Sequence, residues 1–156
     1  MVIVNKPLLA AALAALVFLV LHLWLGEIRY HQPALASNMT AEQKGLYTVL
    51  WHAISIIIAL SAGAFFAAAR RPAIRPAAWL ALIQFCLFMV LDLAVGLFRL
   101  GAPWPLIQWL IILPIVLLAG WGLLGPGRRA EIQPIASDMG WRVVPPVHLN
   151  DHAEKE

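Results

Sequence analysis

Four stretches, residues 7–26, 47–69, 77–98 and 104–124, reach the roughly 20 residues a helix needs to cross a hydrocarbon core about 30 Å thick. Across all four the one formally charged side chain is Asp92. A water-soluble domain does not carry such a pattern. With 62% of the 156 residues apolar and only 12% charged, and a mean hydropathy of +0.83, the chain is built for a bilayer as its solvent. The expected fold is all-α: an integral-membrane, antiparallel four-transmembrane-helix bundle over residues 1–129, followed by a mostly irregular tail over 130–156.

The first stretch also admits a signal-peptide reading, because Lys6 precedes it and "ALAS" at 34–37 resembles a small-residue cleavage site. Its apolar run is longer than such a region needs, and Glu27, Arg29 and His31 separate it from that site, so a spanning helix is the reading adopted.

Lys and Arg collect in the cytoplasmic loops of membrane proteins. In the expected topology Lys6, Arg70, Arg71, Arg75, Arg128 and Arg129 fall on one side and Arg29, Lys44 and Arg99 on the other. Both termini are therefore expected in the cytoplasm, with 27–46 an external loop and 99–103 an external turn. An Ala-, Gly-, Pro- and Arg-rich composition suits a GC-rich bacterial genome, and the expected location is the bacterial inner membrane. The net charge of +3 sits at helix ends as topology signals do, so no nucleic-acid partner is expected. Cys86 is single and forms no internal disulfide.

Local signals refine the boundaries. Trp24, Trp51, Trp104 and Trp109 lie near expected outer ends and Trp79 and Trp121 near inner ends, as an interfacial aromatic belt requires. Pro72 and Pro76 enforce a tight hairpin between the second and third spans. Pro105 is expected in the first turn of the fourth helix, and Pro114 within it removes a helical hydrogen bond. "TAEQ" at 40–43 has capping-box spacing, with Thr40 as N-cap and Gln43 at the third helical position. The sequon at Asn38 is a weak, isolated match.

Each span has a polar residue at a similar depth from its outer end: His22, His52, Asp92 and Gln108. At ~1.5 Å per residue these depths are about 6 to 10 Å. Residues eleven apart on a helix differ by about 20° in direction, and the residues so related are Ala11, Gly63, Ala81 and Ala119. Small residues line close helix contacts, so all four polar groups are expected to face inward. Ala59 and Ala67 extend the small face of the second helix, and Ala77 and Gly96 that of the third. An ionised acid in a membrane helix costs roughly 2.5–3.5 kcal/mol on insertion scales. Asp92 is accordingly expected to be protonated, wet or paired, with His52 or His22 as the preferred partner and Arg99 as a further one.

That layer reads in two ways. As a latch it fixes helix order and register, and the protein is an accessory, assembly or interaction subunit of a larger membrane complex or a homo-oligomer, using its tail or external loop. As a binding site, with His22, His52, Asp92, Gln108 and Arg99 as candidate ligand contacts, it takes a small ligand, proton, quinone or lipid headgroup, or serves a transporter or membrane enzyme. His22, His52 and Asp92 are candidate metal ligands, and the two histidines are candidate haem ligands, though no local metal motif supports either cofactor. No GxSxG, Walker loop, HExxH or glycine-rich phosphate cradle is present. No catalytic residue is assigned.

Overall fold

A computed structural model describes residues 4–125, and the description is confined to these; the tail expected over 130–156 lies outside them. The fold is all-helical. Helix α1 (Lys6–Leu21) continues without a break into a π-helical segment (His22–His31) and a short α2 (Gln32–Ala36). After these come α3 (Ala41–Arg70), a 3₁₀ turn (Pro72–Ile74), α4 (Arg75–Leu100) and α5 (Gln108–Leu124). Three helical stretches, 6–36, 41–70 and 72–100, are long and apolar enough to cross a membrane, and α5 is a shorter apolar helix. At 17 residues and ~1.5 Å per residue it is about 25 Å long.

Asn5 closes one end of the molecule. Its side-chain oxygen caps α1 by accepting from the Leu8 N–H at 3.2 Å. Its Nδ2 donates to the Gly122 carbonyl at 2.8 Å, and its own N–H donates to the Ala69 carbonyl at 2.8 Å. The start of α1 is thereby tied to the ends of α3 and α5, so α1 runs antiparallel to both. The Pro72–Ile74 turn reverses the chain from α3 into α4. α1 and α4 each pack against both α3 and α5, giving a square of helices.

Above this closed end the core is tight. Ala11, Ala12, Ala15, Ala62, Ala68, Ala69, Ala78, Ala81 and Ala119 are buried, and such residues let helix backbones approach. Such close approach gives extensive dispersion contact between the helices. Midway along, Phe18, Phe65 and Phe85 form a layer, with Phe85 6.4 Å from Phe18 and 6.1 Å from Phe65 between ring centroids. Gln84 Nε2 donates to Ser61 Oγ at 3.3 Å, linking α4 to α3. The outer surface is apolar as well: Leu60, Leu80, Leu87, Leu97 and Phe98 are exposed.

Several expectations need correction. Residues 27–36 are helical rather than loop, which leaves only 37–40 between α2 and α3. The capping box at Thr40 and Gln43 is present, and starts α3 at Ala41 rather than near 47. Pro105 lies in the linker before α5, which begins at Gln108. On α3 the small-residue face is turned outward: His52, Ala59 and Gly63 are exposed, while Trp51, Ser55, Ile58, Ala62 and Phe65 are buried. Bulk decides this helix. Trp51, Ile58 and Phe65 fill the space between helices, and a one-residue offset turns His52 about 100° away. Ala77 is exposed too, whereas Ala11, Ala81, Gly96 and Ala119 are buried. Arg99 is exposed near the end of α4, which stops at Gly101 in the left-handed conformation (φ 72°) that glycine adopts without cost.

Candidate functional site

Beyond the phenylalanine layer the helices do not fill the space between them. Between Phe85 and Gly96 no residue of α4 is fully buried. A cavity of about 790 Å³ opens there, at the end opposite Asn5, between the π segment, α3, α4, the residues before α5 and the start of α5. Phe18 and Ile112 belong to its lining, together with Leu25, Ile54, Phe88, Leu91 and Ile111, and its polar lining residues are His22, Arg29, Tyr30, Tyr47, Trp51, Asp92 and Gln108. A concave site of this size, mainly apolar with few polar groups, has the character of a small-molecule pocket.

Three of the residues singled out by sequence, His22, Asp92 and Gln108, line this one cavity. His52 and Arg99 do not. His52 sits on the exposed face of α3, with its ring edge-on to His31 at 5.9 Å. Among the described residues no group of three or more His, Cys, Asp or Glu side chains is arranged to hold a metal ion.

The π segment builds one wall. Its widened turn satisfies the backbone through i to i+5 bonds, as where the Gln32 N–H donates to the Glu27 carbonyl, and such segments are frequent at functional sites. Gly26 lies against the Trp51 ring so closely that a Cβ there would be 2.9 Å from Trp51 Cη2. His22 stacks on Trp51 at 4.1 Å between centroids, and its Nε2–H donates to the Trp51 carbonyl at 3.4 Å. Ser55 Oγ donates to the same carbonyl at 3.1 Å.

Sequence reasoning passed over His31, the most buried polar side chain of the segment at 4% exposure. Its Nδ1–H donates to the Glu27 carboxylate at 2.8 Å, and its Nε2 lies 3.2 Å from Thr48 Oγ1. Gln32 Nε2 donates to the same carboxylate at 2.6 Å. His31 also stacks on Trp51 and Tyr47 at 5.4 and 5.7 Å. The group clamps the π segment to α3 through one bonded imidazole. The i, i+4 spacing of Glu27 and His31 was visible in the sequence, but inside a stretch read as loop it carried no weight.

Among the described residues, three polar groups of the lining have no hydrogen-bond partner. Trp51 Nε1 and Gln108 Oε1 are buried without hydrogen bonds. The Asp92 carboxylate is half-buried and, among the described residues, takes part in no hydrogen bond or ion pair. The guanidinium of Arg29 lies over the Tyr30 ring at 5.8 Å. Buried polar groups in proteins are nearly always satisfied, by protein groups or by ordered water.

Comparison with known protein families, with curated proteins and with solved structures found no match to this chain.

Proposed function

We propose that this protein is a small polytopic membrane protein, crossing the bilayer four times with α5 as the fourth crossing, that holds an amphipathic small molecule in the chamber between its helices. The observation that carries this reading is the cavity itself: about 790 Å³, largely apolar, with the polar side chains of His22, Asp92 and Gln108 on its wall. An apolar body gains contact with Phe88, Leu91 and Ile111, and a polar head meets the unmet groups. The accessory-subunit reading takes the polar layer as a latch and the tail or the external loop as the contact; His52 lies outside the cavity and residues 130–156 lie outside the described ones, so the chamber is the stronger basis.

The proposed orientation has the Asn5 end in the cytoplasm of a bacterial cell and the chamber in the outer leaflet of the inner membrane. Supporting it, Lys6, Arg70, Arg71 and Arg75 belong to the helix ends around Asn5 and the α3–α4 turn, as the positive-inside rule asks.

Photolabelling with a neutral diazirine-bearing long-chain alcohol, on protein in lipid nanodiscs, tests the chamber. Expected is saturable labelling of peptides containing Phe88 and Ile111, lost in Ile111→Trp, beside non-saturable labelling of the lipid-exposed Leu80 and Leu97. Labelling that rises linearly at every site would overturn the proposal.

A further inference from the structure

We infer that the guest of the chamber is an amphipathic cation, an organic ammonium or phosphonium ion whose positive centre lies against Asp92 and whose apolar body lies against the aromatic wall. This rests on the reading of the chamber as a ligand site and adds the sign of the ligand's charge.

The described residues 4–125 hold three acids, Glu27, Glu42 and Asp92. Glu27 is engaged by His31 and Gln32. Glu42 is exposed in the first turn of α3. Among the described residues Asp92 is the one acid that lines the cavity, and its carboxylate takes part in no hydrogen bond or ion pair there. A charge away from water interacts far more strongly with an opposite charge than it would in bulk solvent. It is costly when left unpaired. A cation is the guest that removes this cost, and an anion is the guest that raises it.

The rest of the wall suits the same ion. Phe18, Tyr47, Trp51 and Phe88 line the cavity. Trp51 is already stacked on His22 and His31, and Tyr47 on His31, and the ring faces that remain attract cations, most of all when the ion is weakly hydrated. Gln108 Oε1, the second unmet acceptor, takes an N–H of an ammonium. Trp51 Nε1 is the unmet donor and takes an oxygen of the guest where there is one. Arg29 is the cation already in the lining, but it is an exposed residue whose guanidinium rests over Tyr30. The site therefore presents a half-buried negative group with a positive one on an exposed side chain, an arrangement that rejects anionic amphiphiles of the same size.

The test uses two ions of nearly identical shape and opposite charge, tetraphenylphosphonium and tetraphenylborate, in equilibrium dialysis with the full chain in an uncharged maltoside detergent. Expected is saturable binding of the phosphonium and none of the borate. Asp92→Asn should weaken the phosphonium by about tenfold or more, with Asp92→Glu retaining most of the affinity. The wild-type comparison stands even if Asp92→Asn does not fold. Binding of the borate as tight as that of the phosphonium, or phosphonium affinity unchanged in a folded Asp92→Asn protein, overturns the cation assignment. If neither ion binds saturably while the neutral photolabel still does, the assignment fails and the chamber stands. If no probe binds saturably, both fail.

Discussion

His22 lies nearly face to face with Trp51, ring centroids 4.1 Å apart and planes inclined by 21°. The contact occurs where α1 passes into the π segment, and Gly26, one widened turn further on, presses against the same indole. The imidazole and the glycine thus frame one ring, and the wall of the cavity depends on that ring staying in place.

Gly26→Ala tests this directly. A methyl group 2.9 Å from Trp51 Cη2 must displace a large buried side chain. Overpacking of this kind costs about 1–3 kcal/mol. The expected result is a lower Tm, read by circular dichroism in detergent, together with weaker saturable photolabelling of the chamber.

At the closed end, Asn5→Ala removes the α1 cap and the bond to Gly122 at once. Lost caps and buried hydrogen bonds each cost on the order of 1 kcal/mol. The variant should unfold at lower temperature, yet bind the chamber probes as the wild type does once folded, because Asn5 is at the opposite end from the site.

Asp92→Asn should leave Tm unchanged or raise it, since no hydrogen bond or ion pair among the described residues is broken. A large fall in Tm would mean that the acid holds helices together, as a latch. Thermal unfolding with and without tetraphenylphosphonium distinguishes the two: the wild type gains stability from the ligand and the variant does not.

The two histidines of the outer half separate by burial. His31 is 4% exposed and bonded to Glu27 and Thr48, whereas His52 faces outward. His31→Ala should lower Tm clearly and His52→Ala hardly at all, in parallel melts under the same conditions.

Orientation is open to single-cysteine labelling in a Cys86→Ala background. An impermeant maleimide should modify Ser37→Cys in intact cells, and Arg71→Cys only in inverted vesicles. The reverse pattern would place the chamber on the cytoplasmic side.

Much of this was written in local chemistry. The Thr40 and Gln43 capping box starts α3 as spacing alone says it should. Asp92, Gln108 and His22 share one cavity, and the alanines eleven positions from them are buried. His52 was misplaced because α3 has large apolar residues on both sides, Ile56 and Leu60 exposed and Ile58 and Phe65 buried. Without a wet face, periodicity does not separate inside from outside, and side-chain bulk decided instead. The π segment was illegible for another reason: its widened turn goes with contacts of Gly26 to Trp51 and of His31 to Thr48, between parts of the chain that only folding brings together. Glu27 and His31, read as loop residues, turn out to fasten that turn.

The bundle is filled unevenly: alanines near the base and phenylalanines midway pack it densely, whereas the mouth is braced by a few polar bonds centred on His31. A change to those few bonds should therefore loosen the wall while the base keeps its packing.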